Sequence, residues 1–248
     1  MTGSHSLSEI ISADVSLNLV EPGIFSVYAI GNSPGSYDSI GAPLIYDLVA
    51  CNRFYNRLMW GYSTKDYAVL CEDFLASSAE DWVLDLACGS LAFTAESYAN
   101  CSKRPVVFLD QSIKLLRKGK ARVERLMGKI SENMFFLHAD ALQLPFKADT
   151  FHTIISLNLL HCLNDVRTVL KEIKRVISDG GNSAITTLVQ CSRWNNRYLN
   201  LLAGSGALIS RSLDELLSVF NEMGMKVTPE MKGNLAFIRF EGVKSSKH

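Results

Sequence analysis

Short apolar runs alternate with longer amphipathic segments along the chain from Trp82 onward. The runs are Trp82–Ala87, Pro105–Leu109, Met134–His138, Phe151–Leu157 and Ala184–Val189, and the helical patterns between them are Leu91–Asn100, Ser112–Ile130 and Asp165–Ile177. The runs are rich in Val, Ile and Phe and show no strict alternation, which is typical of parallel strands buried on both faces. Strands that alternate with helices in this way predict an α/β fold with a doubly wound, mostly parallel sheet.

The C-terminal part follows a different pattern. A helix is predicted at Ser212–Met223, and two apolar runs follow it at Met225–Pro229 and Leu235–Phe240. The gap between these two runs is short and contains Gly233 and Asn234. Strands joined by so short a turn must be antiparallel.

The N-terminal part predicts two further regions. Residues 1–42, rich in Ser and Gly, form an extension of uncertain order in which Ile24–Ile30 could be a short strand. Residues 43–80 form a helical cover, because apolar residues recur there at spacings of three to four on either side of Gly61. A core domain at 81–242 and a tail at 243–248 complete the predicted organisation.

Composition narrows the class of protein. Lys and Arg together number 25, as do Asp and Glu, and a formal net charge of zero argues against a general affinity for nucleic acid or anionic membranes. The six cysteines form no C-x-x-C pair and no zinc-ligand spacing with histidine, so no metal site is predicted. A signal-peptide pattern and an apolar run of about 18 residues are both missing, so a cytoplasmic protein without a membrane span is the simplest expectation. The oligomeric state stays open.

Ligands of an open parallel sheet bind at the carboxyl ends of its strands, so the residues that follow each strand are the candidates. The first strand leads through Asp85 into a turn of small residues, Ala87-Cys88-Gly89. Such a turn lets a ligand approach the backbone, and the next helix start offers N–H groups to a carboxylate such as that of methionine. Asp85 would then engage the methionine amine. The alternative is a strand–helix turn without a ligand.

Asp110 follows the second strand, 21 positions after Gly89. An acidic residue at this distance can accept hydrogen bonds from ribose hydroxyls. The alternative is a helix cap formed by Asp110 or Ser112, and the two roles can coexist.

Asp140 and Ala141 follow the third strand. The carboxylate can accept from an adenine amino group, the next backbone N–H can donate to the ring, and the apolar Leu142 would lie against the ring face. A solvated loop aspartate is the alternative for Asp140 considered alone.

Asn158 and His161 follow the fourth strand. Asn158 would lie at the centre of the pocket, with His161 one helical turn beyond it. Histidine titrates near neutral pH, so His161 is a candidate general base. The alternative is a histidine that packs on the sheet and fills a polar gap.

These segments resemble class I S-adenosylmethionine-dependent methyltransferases, in particular the ubiquinone/menaquinone-biosynthesis type and its small-molecule relatives. The resemblance covers about Tyr46 to Phe240, and its most specific elements are Val83–Ser90, Ala139–Phe146 and Leu170–Gly181. It implies a seven-stranded sheet with an antiparallel C-terminal strand, an N-terminal helical cover, and S-adenosyl-L-methionine as cofactor. The implied cofactor contacts are Asp85, Ala87, Gly89, Asp110, Gln111, Asp140, Ala141 and Asn158, with a tyrosine from the cover, for which Tyr55 and then Tyr46 are candidates. The sequence departs from the family at Ala87 and Leu91, where the family has glycines.

The predicted function is methyl transfer to a small-molecule acceptor, in a chamber covered by Tyr46–Tyr62 and Gln190–Ile209. One alternative is a methyltransferase-fold binding module without turnover, and another is a nicotinamide-dependent oxidoreductase, which would not explain Asp140. An RNA methyltransferase is a third, because the helix after Asp110 is basic. That helix carries Lys114, Arg117, Lys118, Lys120, Arg122, Arg125 and Lys129 against Glu124. Its ordinary interpretation is a solvated outer face.

Overall fold

The computed structural model describes residues 5–29, 56–76, 81–101, 104–191, 194–204 and 208–243. The strands in these ranges are β1 (Asn18–Glu21), β2 (Ile24–Ser26), β3 (Val83–Leu86), β4 (Val106–Asp110), β5 (Met134–His138), β6 (Phe151–Leu157), β7 (Ile177–Leu188), β8 (Val227–Lys232) and β9 (Leu235–Glu241). The helices are α1 (Leu7–Ile10), α2 (Lys65–Leu75), α3 (Ala95–Asn100), α4 (Ile113–Met127), α5 (Val166–Val176), α6 (Trp194–Gly204) and α7 (Leu213–Glu222). A π-helix at Asn56–Trp60 and a 3₁₀ helix at Leu160–Cys162 complete the set for the described residues.

All of these strands form one sheet in the order β1-β2-β5-β4-β3-β6-β7-β9-β8. The five neighbouring strands β5, β4, β3, β6 and β7 pair in parallel, whereas β9 pairs antiparallel with both β7 and β8. The order reverses at β3, which lies between β4 and β6, and this reversal defines the usual ligand crevice of such sheets. The predicted doubly wound fold and its antiparallel C-terminal pair are confirmed.

The sheet is wider than predicted, with nine strands in the described residues instead of seven. The difference is the hairpin β1–β2, which lies within the N-terminal extension and places β2 parallel to β5. Its strands have only three and four residues, so they leave almost no periodic pattern in the sequence. Part of the extension is therefore a component of the core sheet, while the domain boundaries at 42 and 80 remain predictions.

Helices cover both faces of the sheet. One face carries α1, α5 and α7, whose apolar side chains pack with those of β3 to β7 in one cluster. The other face carries α2, α3 and α4, which pack on Val83, Phe108 and Phe136. A third cluster joins the π-helix, α2 and α6 to β7 and β9 through Trp60 and Leu199. This third cluster brings N-terminal and C-terminal segments together beside β7 and β9.

Two predicted boundaries differ most from the structure. The helix expected from Leu91 begins at Ala95, because Leu91 has a left-handed φ of 52° that no α-helix contains. The strand expected from Ala184 begins at Ile177, since the Gly180-Gly181 pair lies in an irregular part of β7 and not in a free turn.

Candidate functional site

The turn after β3 has left-handed backbone at three alternate residues. The φ angles of Ala87, Gly89 and Leu91 are 58°, 56° and 52°. Glycine adopts this conformation freely, whereas a residue with a side chain is strained by about 1–2 kcal/mol. The turn therefore keeps the backbone expected of the family's glycines although two of them are replaced. A Cβ at Gly89 would meet no atom of the described residues within 4 Å, so these residues leave room beside the turn.

Helix α4 receives the side chain of Leu91. Leu91 is buried, and a Cβ at Gly119 would lie 3.3 Å from the Leu91 Cγ and 3.4 Å from the Gly89 carbonyl oxygen. Arg122, farther along α4, donates from Nη1 to the carbonyl oxygen of Ser90 at 2.5 Å and to its hydroxyl at 2.6 Å. Gly119 has no side chain and so leaves room for Leu91, and the Arg122 guanidinium binds Ser90. Both interactions stabilise the turn. Neither residue stood out in the sequence as part of the site.

Asp85 has a carboxylate that no described residue satisfies. Its side chain is 1% exposed, and neither carboxylate oxygen has a hydrogen-bond partner among the described residues. The Tyr98 hydroxyl is a close polar neighbour of this carboxylate, although the two groups do not meet in a hydrogen bond of normal geometry. Burial raises the pKa of Asp85 to about 7, the neighbouring Tyr98 hydroxyl acts against this rise, and the nearby charge of Asp110 adds to it. A buried carboxylate without partners is costly and fits an amino group supplied by a ligand.

Asp110 lies at the end of β4 and links two other parts of the site. One carboxylate oxygen accepts from the Gly89 N–H at 2.8 Å, and the other accepts from the Ser112 N–H at 2.8 Å. The N-cap of α4 is Ser112, whose hydroxyl accepts from the Leu115 N–H at 3.3 Å. Asp110 therefore fixes the turn after β3 and the entry to α4. Its oxygens have further acceptor capacity, since each oxygen has two lone pairs.

The Gly89 N–H that donates to Asp110 belongs to the turn expected to donate to a ligand carboxylate. The Cys88 N–H is also engaged, by the Leu109 carbonyl oxygen at 3.0 Å. Both amides thus stabilise the turn itself. A ligand could approach this turn because its side chains are small and the described residues leave room at Gly89.

Asp140 and Ala141 lie just beyond β5, next to Gln111. One Asp140 oxygen accepts from the Leu142 N–H at 2.9 Å, which holds the loop in a tight turn. The strands keep this loop beside the end of β4, because Asp110 pairs with His138 in the sheet. His138 in turn lies 3.0 Å from the Gln111 carbonyl oxygen through Nε2. The adenine and ribose candidates are therefore neighbours.

Asn158 follows β6 directly, has a φ of 62° and begins a chain of side-chain hydrogen bonds. Its Nδ2 donates to the Tyr67 hydroxyl at 2.7 Å, Tyr67 donates to the Tyr62 hydroxyl at 2.7 Å, and Tyr62 donates to Asn56 Oδ1 at 2.8 Å. This chain fixes the side-chain amide with Nδ2 toward α2. The Asn158 Oδ1 is buried and has no partner among the described residues. Tyr67, which the sequence showed only as an apolar helix position, is the tyrosine that reaches this point.

His161 lies in the 3₁₀ helix and is buried. Its Nδ1 accepts from the Leu188 N–H at 3.2 Å and lies 3.2 Å from the Thr187 hydroxyl. A nitrogen that accepts from a backbone N–H carries no proton, so the neutral ring is protonated at Nε2. Burial and the positive charge of Arg211 lower the pKa of His161 to about 4.

The predicted cover is only partly described. Tyr46 and Tyr55 lie outside the described residues, whereas Tyr62 joins the hydrogen-bond chain and α6 packs beside the π-helix.

Two cations of the basic helix α4 bind groups of the protein itself. Arg117 forms an ion pair with Glu21, and Arg122 donates to Ser90. No helix in the described ranges is long and apolar enough to cross a membrane.

Comparison with known proteins identifies the class. Residues 83–181, from β3 into β7, match the family model for a methyltransferase domain. The match and the sheet order bear out, for this segment, the resemblance to class I S-adenosylmethionine-dependent methyltransferases predicted from the sequence.

The relatives by sequence include a demethylmenaquinone methyltransferase of Bacillus cereus, 39% identical over 101 residues. That match covers 40% of this chain and 40% of the relative, so the similarity is confined to less than half of each protein. Similar solved structures include YcgJ of Bacillus subtilis, with a TM-score of 0.55, 22% identity, and 67% of this chain and 70% of that chain covered. Geranyl diphosphate C-methyltransferase of Streptomyces coelicolor has a TM-score of 0.58 and 14% identity, with 73% and 77% covered. At these identities the solved structures share the fold.

Proposed function

We propose that this chain is an S-adenosylmethionine-dependent methyltransferase that acts on a small-molecule acceptor. The observation that carries the proposal is the buried Asp85 carboxylate, which forms no hydrogen bond of normal geometry with the described residues. It lies near Gly89, where the described residues leave room beside the turn. Asp110 and Asp140 follow at the ends of the next two strands of the sheet. The match of residues 83–181 to a methyltransferase domain supports the same conclusion.

Each strand end would hold a different part of the cofactor. Asp85 would accept from the methionine ammonium, Asp110 from the ribose hydroxyls, and Asp140 from the adenine amino group, with the Ala141 N–H donating to the ring. The positive sulfonium of the bound cofactor supplies an activated methyl group. The protein then has to align an acceptor with that methyl and exclude water, and positioning of this kind accounts for much of the rate in a displacement reaction.

The acceptor would be bound beside Asn158. Because Tyr67 fixes the amide, Asn158 presents its carbonyl oxygen, so an acceptor or cofactor group that donates a hydrogen bond fits there. The Asn158–Tyr67–Tyr62–Asn56 chain joins this point to the π-helix of the cover. A screen of phenols, amines and quinols, together with alkenes and tertiary amines that lack a donor group, for release of S-adenosylhomocysteine would identify the acceptor. A set of substrates that all lack a donor group would contradict the role of Asn158.

Cofactor binding is the first test of this function. S-adenosylmethionine or S-adenosylhomocysteine should raise the melting temperature of the purified protein, because a ligand that binds only the folded state stabilises it. Titration calorimetry gives the affinity, with NADH as the matched control ligand. Binding of NADH without binding of either sulfur compound would instead support the oxidoreductase alternative. Binding without methyl transfer to any acceptor would support a module that has lost turnover.

We also propose that His161 is a structural residue. His161→Ala removes the acceptor of the Leu188 N–H and leaves a cavity, so the free energy of unfolding should fall by about 2–3 kcal/mol. The folded fraction should keep its S-adenosylhomocysteine affinity and, once an acceptor is known, a kcat within about threefold of the parent. His161→Gln, which can accept at a similar position, should recover part of the stability. A kcat lowered by about a hundredfold at parental stability would instead identify a general base.

A further inference from the structure

We propose that Tyr28, contributed by the N-terminal hairpin, completes the adenine end of the cofactor site with its hydroxyl group. The inference rests on the proposed function. It assigns a binding role to a segment that precedes the methyltransferase domain match and that is tied to the site by the sheet.

The sheet itself carries Tyr28 to the carboxyl edge. Strand β2 pairs in parallel with β5 and ends with Ser26 opposite His138. The pairing continues one residue further, since the Val27 N–H donates to the His138 carbonyl oxygen at 3.2 Å. Because the two strands run in the same direction, the chain leaves β2 beside the Ala139–Asp140 segment. The hairpin therefore ends where the adenine candidates begin.

Local contacts fix the position of Tyr28. The Tyr28 N–H donates to the Ser26 hydroxyl at 3.1 Å, and the Tyr28 carbonyl oxygen accepts from Asn18 Nδ2 at 3.2 Å. Its ring packs edge-on against the His138 ring, with centroids 4.8 Å apart. The aromatic ring is thus held against a buried residue before any ligand arrives.

His138 connects Tyr28 to the loop after β4. The His138 Nε2 lies 3.0 Å from the Gln111 carbonyl oxygen, and Nδ1 lies 3.2 Å from the Ser26 hydroxyl. A carbonyl oxygen can only accept, so Nε2 carries the proton and Nδ1 of the neutral ring accepts from Ser26. This bridge sets the spacing between Tyr28 and Gln111, on either side of His138.

The Tyr28 hydroxyl has no hydrogen-bond partner among the described residues, although its oxygen is buried. Burial raises the pKa of Tyr28 to about 12, and the charge of Asp140 contributes in the same direction. The hydroxyl therefore stays protonated, lies near the carboxylate proposed to hold the adenine amino group, and can donate to a ring nitrogen. A buried hydroxyl without a partner costs stability unless a ligand satisfies it.

The test is Tyr28→Phe, which removes only the hydroxyl. Affinity for S-adenosylhomocysteine should fall about fivefold to tenfold, as for the loss of one hydrogen bond. Affinity for adenosine alone should fall by the same factor, because the contact is to the adenine. The melting temperature of the ligand-free variant should stay the same or rise, since an unsatisfied group has been removed. Asp140→Asn serves as the reference variant and should weaken both ligands.

The outcomes separate the inference from the function on which it rests. If the parent binds S-adenosylhomocysteine and Tyr28→Phe binds it within twofold, the role of Tyr28 is wrong and the proposed function stands. A loss of melting temperature in the ligand-free variant, with unchanged affinity, would likewise show a structural tyrosine. If the parent binds neither ligand, both proposals fail together.

Discussion

Replacing Asp85 by asparagine should stabilise the ligand-free protein above pH 7 and weaken S-adenosylhomocysteine binding by about tenfold to a hundredfold. The pKa of Asp85 is about 7 in the folded protein, against an ordinary 3.8. The folded state then holds a proton that the unfolded chain releases, so the free energy of unfolding falls as pH rises from about 4 to about 7. That loss amounts to about 4 kcal/mol. Asparagine cannot ionise, so Asp85→Asn should remove this loss.

The same variant should change how binding depends on pH. An ammonium group favours the ionised carboxylate, so the parent should release a proton on binding below pH 7 and bind roughly tenfold more tightly at pH 7.5 than at pH 5.5. Asp85→Asn should show neither effect in calorimetry across that range. Tyr98→Phe is the matched control, because it removes the neighbouring hydroxyl and keeps the carboxyl group. Equal pH profiles for the parent and Asp85→Asn would rule out an ammonium partner at this position.

The sequence predicted the central strands well because their burial is continuous. Both Met134–His138 and Phe151–Leu157 match β5 and β6 at each end, since runs of apolar and β-branched residues leave no competing helical pattern. The hairpin β1–β2 could not be predicted in the same way. Its stability comes from pairing Ser26 with His138, a contact between positions far apart in the chain.

The sequence predicted which residues belong to the candidate site better than it predicted their contacts. The positions of Asp85, Asp110 and Asp140 after successive strands were visible in the sequence, because the ends of parallel strands lie at one edge of the sheet. The state of each carboxylate was not visible. Asp110 accepts two backbone N–H groups whereas Asp85 accepts none from the described residues, and that difference depends on the packing of Tyr98 and on the path of the turn.

Leu91 shows why the departure from the family's glycines was hard to interpret. Leu91 stands where the family has a glycine, yet its backbone keeps the left-handed conformation. The compensation is on α4, where Gly119 leaves room for the leucine side chain. From the sequence alone, a glycine in the middle of a helix indicates only a position of low helix propensity. Its packing role follows only once the turn and the helix are placed together.

Replacing Asp110 by alanine should destabilise the protein and weaken the cofactor together. The variant loses the acceptor of both the Gly89 and Ser112 N–H groups, so the free energy of unfolding should fall by about 2–4 kcal/mol. Affinity for S-adenosylhomocysteine should fall at least tenfold, because the turn loosens and the ribose loses its acceptor. Ser112→Ala is the matched control. It removes the capping hydroxyl and keeps the N–H that donates to Asp110, so it should cost about 1 kcal/mol with cofactor affinity unchanged.

Two ligand analogues distinguish a direct contact between Asp110 and the ribose from an indirect effect of Asp110 through the turn. The 2′-deoxy and 3′-deoxy analogues of S-adenosylhomocysteine lack one ribose hydroxyl each, and the parent should bind at least one of them about tenfold more weakly than the full ligand. In Asp110→Ala this penalty should disappear, since the group that accepts from the hydroxyl is already gone. A penalty that persists unchanged in the variant would show that Asp110 acts only by holding Gly89 and Ser112, and that the ribose is bound by another residue.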